Sequence, residues 1–218
     1  MSTFFIKDCA LIVQTTPFQA VNLRELRECI RQCEAAAIYH HFYETLLRPT
    51  FDDPVYQNDF AIWADRELND IVLAERLGII DPYQFKSIED LRLFLLDILD
   101  DRLSEVHMIP WARSGHQFYF IKAITVVFDT GRKCIHPDRF LRELRDMSLG
   151  SIYYHFIEAS RREPMGKDDF SSWLKNEGEP GIKYLTPMRD IRRAFLPLAD
   201  IKARLIESLT PITPMEWR

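Results

Sequence analysis

The stretch Ile38-Tyr39-His40-His41-Phe42-Tyr43-Glu44 returns 114 residues later as Ile152-Tyr153-Tyr154-His155-Phe156-Ile157-Glu158. Carried on to Arg48 and Arg162, the eleven aligned pairs contain six identities, where ordinary composition would give on the order of one. The register holds backwards without a gap: Val13 meets Val127, Thr16 meets Thr130 and Leu26 meets Phe140. Downstream it tightens. Asn58-Asp59-Phe60-Ala61-Ile62-Trp63 meets Asp168-Asp169-Phe170-Ser171-Ser172-Trp173 at an offset of 110, and Asp90-Leu91-Arg92 meets Asp190-Ile191-Arg192 at 100. A period this long with two copies implies a duplicated domain, because solenoids stack at least three shorter repeats. The expected organisation is a first repeat over 1–116 and a second over 117–218, tightly packed as one globular unit with pseudo-twofold symmetry, by analogy with symmetric dimers.

Each copy reads as strand, helix, helix, helix, so the expected class is mainly α (α+β). Phe4–Val13 and Phe118–Phe128 are rich in β-branched and aromatic residues. They stop at the turn-like clusters Thr15-Thr16-Pro17 and Asp129-Thr130-Gly131, and could pair as a short sheet. Asn22 with Glu25 has the form of a capping box, and Leu23, Leu26, Ile30, Cys33 and Ala37 then recur at helical spacing, predicting one helix to about Arg48. His136-Pro137 occupies the same start in the second copy, with Pro where a missing N–H costs nothing. Asp53-Pro54 opens the second helix, which Gly78 ends, and Ser87-Ile88-Glu89-Asp90 opens the third. Thr186-Pro187 opens the third helix of the second copy. Asn176-Glu177-Gly178-Glu179-Pro180-Gly181 is the strongest loop signal in the chain.

Composition limits the function classes. The 218 residues are 47% hydrophobic and 28% charged, enough to bury a core. The formal charge of −5 opposes non-specific binding to nucleic acid or to an anionic membrane, both of which need a cationic surface. No apolar run approaches the ~20 residues that span a bilayer, and Met1-Ser2-Thr3-Phe4-Phe5 lacks the features of a secretory signal. The chain reads as cytoplasmic, with Cys9, Cys29, Cys33 and Cys134 as reduced thiols. Seven glycines leave little room for a phosphate-cradling loop.

The chemistry-bearing residues are duplicated too. On a wheel of about 100° per residue, His41, Glu44 and Arg48 fall within about 60°, beside an apolar face carrying Tyr39, Phe42 and Leu46. His155, Glu158 and Arg162 repeat the spacing. Such a stripe could hold an anion through Arg and His⁺. Glu four residues before Arg is also a common helix ion pair, so hydrogen bonding between helices or an interface between the halves is the competing reading. Asp59 with Trp63, and Asp169 with Trp173, form a second duplicated pair. They read either as a helix-start acid with a core Trp, or as an acid and aromatic platform facing the stripe.

Other chemistries fit less well. A metal would require His41, Glu44 and Asp59 to converge, but the order is His-x-x-Glu and no second carboxylate pair follows, so no metal is assigned. Val126-Val127-Phe128-Asp129-Thr130-Gly131 has the look of an aspartic-protease loop, yet Thr15 stands at the aligned position and no second Asp is offered. Cys29 and Cys33 align with Glu143 and Met147 and read as core or boundary thiols.

Ser151-Ile152-Tyr153-Tyr154-His155-Phe156, Asp168 to Trp173, Asn58-Asp59-Phe60-Ala61 and Val127-Phe128-Asp129-Thr130-Gly131 together resemble an uncharacterised prokaryotic family, domain of unknown function 5752. The resemblance covers most of the chain. It implies a bacterial or archaeal cytoplasmic protein and assigns no catalytic residue, and the cofactor is unknown. The motif is degenerate in the first copy, where His40 replaces the second Tyr, so the second copy is the better candidate for a functional half. The expected function is a non-catalytic binding or regulatory module that recognises a small anionic or sugar-like ligand, or a protein partner, through the His-Glu-Arg stripes. The alternative is a hydrolase using His155, Glu158 and Asp169 as acid, base or metal ligands. Homo-oligomerisation is compatible with either.

Overall fold

The structure, a computed structural model, describes residues 2–47, 55–162, 167–189, 191 and 196–215. Arg48, the helix start expected at Asp53-Pro54, and Asp190 and Arg192 of the third alignment block lie outside the described residues.

Two long strands, β1 (Phe4–Ala20) and β2 (Phe118–Cys134), pair as a two-stranded sheet. Thr16 Oγ1 donates to the Phe120 carbonyl at 2.6 Å and Thr130 Oγ1 to the Ile6 carbonyl at 2.5 Å. Numbers rise along one strand as they fall along the other, so the pair is antiparallel. The strands continue through the clusters expected to end them. Each threonine hydroxyl also accepts a backbone N–H two residues on, from Phe18 or Arg132, so the polar cluster joins the strands. Pro17 lacks an N–H, which an edge strand tolerates, and both strands of a two-stranded sheet are edges. Gly131 takes φ 72°, open to glycine at no steric cost.

The chain divides into two compact units inside the strands and not at 116/117. Leu11–Ile124 forms a first unit, and Met1–Ala10 with Thr125–Arg218 forms a second. Each takes half of each strand.

The first unit carries α1 (Leu23–Gln32), α2 (Ala35–Tyr43), a 3-10 turn over Glu44–Leu47, α3 (Asp59–Arg66), α4 (Ile71–Gly78), a 3-10 turn over Pro82–Gln84, and α5 (Ile88–Glu105). The Asn22 side chain accepts from the Glu25 N–H at 2.9 Å, and Glu25 reaches back to the Val21 N–H at 3.0 Å. The single helix expected up to Arg48 is instead two. Cys33 turns extended (φ −67°, ψ 158°), and Arg92 of α5 donates to the Ile30 carbonyl that the break leaves unpaired. A tertiary contact thus satisfies a carbonyl at the end of a helix whose apolar periodicity runs on. The expected second helix is also split, at Asn69 (φ 51°), with the Asp70 side chain capping α4. Gly78 and Ser87 end α4 and cap α5 as the sequence implied. Leu26, Ile30, Phe60, Leu73, Leu91 and Leu95 are fully buried between these helices.

The second unit carries a 3-10 turn over Pro137–Arg139, α6 (Phe140–Asp146) and α7 (Leu149–Ile152). The chain then winds through a π turn over Tyr153–Ile157 and a 3-10 turn over Glu158–Arg161. It continues as α8 (Asp169–Asn176), α9 (Glu179–Ile182), α10 (Leu185–Arg189) and α11 (Leu198–Leu209). The expected loop at 176–181 is a tight turn at Gly178 (φ 68°) followed by α9. A Cβ at Gly181 would lie 1.9 Å from the Leu174 carbonyl oxygen, so glycine is required for α9 to fold back on α8. Thr186-Pro187 lies inside the short α10. The long helix that follows begins at Leu198 behind Pro197, because the proline fixes an extended N-cap.

Candidate functional site

His41 and His155 occupy matching environments, each within its own unit. In the first, His41 Nδ1 lies 2.6 Å from Asp59 Oδ2, and the backbone N–H of Ile121 on β2 donates to His41 Nε2 at 3.2 Å. In the second, His155 Nδ1 lies 2.7 Å from Asp169 Oδ2, and the Lys7 N–H on β1 donates to His155 Nε2 at 2.9 Å. Because Nε2 accepts in both, the proton sits on Nδ1 and is donated to the carboxylate. Each imidazole therefore ties a strand N–H to the first turn of a helix, and both rings are 2–3% exposed.

Local sequence explains the placement of the acids. Asn58 and Asp168 are the N-caps, accepting from the N–H groups of Ala61 and Ser171. That leaves Asp59 and Asp169, one residue further on, to turn towards the histidines. Of the two readings of Asp59 and Asp169, the N-cap role falls to the preceding residues, Asn58 and Asp168. The tryptophans are not platforms. Trp63 and Trp173 are 6% and 5% exposed, and their indole N–H groups donate to the His116 carbonyl at 2.8 Å and the Ser2 carbonyl at 2.9 Å. Phe118 packs against His41 and Trp63 at 4.8 and 5.7 Å, and Phe4 against His155 and Trp173 at 4.8 and 5.4 Å. Nothing in side-chain chemistry marks Lys7, Ile121, Ser2 or His116, because the groups used are backbone.

Glu44 is buried and lies 2.8 Å from His40 Nδ1. His40 and Glu44 are four residues apart and fall within about 40° on a helical wheel, so their contact is the ordinary i, i+4 pair of a helix. In the second unit Tyr154 stands in place of His40, and Glu158 Oε2 lies 2.7 Å from Arg162 Nε. Arg162 also reaches Asp169 at 2.9 Å and the Tyr154 carbonyl at 3.1 Å, with its guanidinium 4.4 Å from the Tyr154 ring centroid. The second unit thus joins His155, Asp169, Arg162 and Glu158. Among the described residues, the first joins His41 to Asp59 and His40 to Glu44.

Burial pushes the Asp169 carboxyl up, but the His155 hydrogen bond and the Arg162 charge outweigh it and hold the group below the usual carboxylate range. Arg162 is raised in spite of its burial by Asp169 and Glu158. Two carboxylates around one guanidinium leave the cluster with excess negative charge and no pull on an anion. No group of three His, Cys, Asp or Glu that could hold a metal occurs among the described residues. Nor is any described helix long and apolar enough to cross a membrane.

A family model described as a family of unknown function, DUF5752, matches residues 1–210 of the 218. The chain belongs to DUF5752. This DUF5752 chain is also similar to the solved structure of OrfY from Thermoproteus tenax, at 28% identity over 96% of this chain and 95% of that one, with a TM-score of 0.76. No curated protein matches it. In this DUF5752 chain both His–Asp pairs tie a strand N–H to the first turn of a helix, and both indoles donate to backbone carbonyls two residues ahead of a strand.

Proposed function

We propose that the protein is a non-catalytic binding or regulatory module, built as two copies of one unit and working in a prokaryotic cytoplasm, with its His–Asp pairs as scaffold and a protein as its partner. The observation that carries this reading is that each imidazole spends Nδ1 on an aspartate and Nε2 on a strand N–H. A general base or metal ligand needs one of those nitrogens free for substrate or ion. The hydrolase alternative would have to break the strand attachment to release Nε2. A small anion on the stripe would meet a cluster that is already net negative. Duplication is supported by contacts that recur at the repeat offset: Thr16 to Phe120 with Thr130 to Ile6, and Ile121 to His41 with Lys7 to His155.

The test is a panel of chromogenic phosphate esters, glycosides and peptides offered to the wild-type chain and to Glu158→Gln, a partly exposed position whose replacement leaves the His155–Asp169 pair in place. The expected result is no turnover above buffer. Turnover by the wild type that Glu158→Gln abolishes while its circular dichroism is unchanged would overturn the reading in favour of hydrolysis.

A further inference from the structure

The first unit has an open apolar pocket of about 310 Å³ between the end of α4, the 3-10 turn at Pro82 and the outer side of α5. Its walls include Ile79, Phe85, Phe94 and Ile98, with the Phe85 and Phe94 rings 5.3 Å apart. Ile79 is 75% and Phe94 43% exposed, so the apolar surface spreads past the pocket mouth. Bulky apolar side chains left in water at a concave site mark a place where another apolar surface docks.

The charges beside it choose the partner. On a wheel of about 100° per residue with Phe94 at zero, Ile98 falls at about 40° towards the buried Leu91 and Leu95. Asp101, Asp90 and Asp97 fall at about −20°, −40° and −60°, forming a row along the solvent side of the groove that extends roughly 16 Å. All three are exposed, and none pairs with a cation among the described residues. Neighbouring acids do pair: Asp100 with Arg27, and Glu105 with Arg76 and Arg102. Arg76, the cation among the described residues lining the pocket, is thus already engaged.

We propose that this groove receives an amphipathic helix of a partner protein, with apolar anchors entering the pocket beside Phe85 and Phe94 and Lys or Arg residues facing Asp90, Asp97 and Asp101. An 18-residue helix such as α5 can offer its whole length to an antiparallel or parallel partner, as helix-in-groove recognition requires. The inference rests on the binding-module reading and gives that module a surface and a partner class.

The probe is a fluorescein-labelled synthetic helix carrying Leu at the i, i+3, i+4 and i+7 positions and Lys elsewhere, titrated with the full chain by anisotropy at 50 and 300 mM salt. Saturable binding is expected, weakened at least tenfold by Phe94→Ser and at least fivefold by Asp97→Lys with Asp101→Lys. The double variant should also lose most of the salt dependence. A peptide with Glu in place of every Lys should bind at least tenfold more weakly. These positions are exposed, and unchanged circular dichroism checks that the variants fold. The proposal is overturned by absence of binding, by equal binding of the Glu peptide, or by binding indifferent to Phe94→Ser. It is also overturned if sedimentation shows a dimer that Phe94→Ser dissociates, or if anilinonaphthalene sulfonate binds there and the Lys peptide does not displace it. Each of these leaves the absence of turnover untouched, so failure of the groove and failure of the module reading are told apart.

Discussion

Replacing His155 with leucine removes both hydrogen bonds of the imidazole while keeping a buried apolar side chain of similar bulk. The Lys7 N–H, held at 2.9 Å by Nε2, loses its acceptor beside the buried Phe4 and Ile6. Stranding a buried donor costs roughly 1–3 kcal/mol. Asp169 loses a charge-assisted hydrogen bond of 2.7 Å, worth roughly 1.5–3 kcal/mol, although Arg162 still pairs with it at 2.9 Å. The expected loss for His155→Leu is therefore about 3–5 kcal/mol. In a chain of this size each kcal/mol lowers Tm by roughly 2–4 °C, so the midpoint should fall by about 6–20 °C. Asp169→Asn should cost less, because an amide oxygen can still accept from Nδ1–H. Urea unfolding followed by far-ultraviolet circular dichroism, with calorimetry for Tm, measures both. If His155→Leu unfolds within about 1 kcal/mol of the wild type, the pair is not a structural clasp. The histidine would then have been kept for a ligand, in line with the cost of function to stability.

Three further outcomes follow from the same contacts. Asp169 is held below its unfolded value, so its stabilisation is present above about pH 4 and is lost as pH falls through the depressed folded value. Asp169→Asn should flatten the acid limb of the stability curve, and an unchanged limb in that variant would contradict the pairing. Gly181→Ala places a methyl group against the Leu174 carbonyl and should destabilise by more than about 2 kcal/mol in urea unfolding; a neutral result would refute the close approach of α9 to α8. Burial pushes the Cys29 thiol up to about 11 and Cys134 up to about 12, so Ellman's reagent at pH 8 should react slowly with both until guanidinium is added. Rapid native titration of all four thiols would show those environments to be open.

The sequence by itself determined the mainly helical class with paired strands, the capping of α1 by Asn22 and of α5 by Ser87, and the end of α4 at Gly78. These are local matters, decided by side chains within four residues of the backbone they serve. It also singled out His41, His155, Asp59, Asp169, Trp63 and Trp173, because identical residues recurred at related offsets. Tertiary structure decided their use. The acceptors and donors that complete the set, the N–H groups of Lys7 and Ile121 and the carbonyls of Ser2 and His116, are backbone atoms that any residue would supply, and they lie far along the chain. Arg92, on a helix some sixty residues away, satisfies the Ile30 carbonyl where α1 breaks, a break that apolar periodicity cannot register. Glu44 meets His40 and Glu158 meets Arg162, each across one helical turn, and only the structure shows which neighbour each takes. The pocket beside Phe94 depends on how the segment between α4 and α5, from Ile79 to Phe85, packs beside α5. Helix periodicity assigns a residue to a face, but only packing decides whether that face is covered, since burial is a property of the neighbour as much as of the residue.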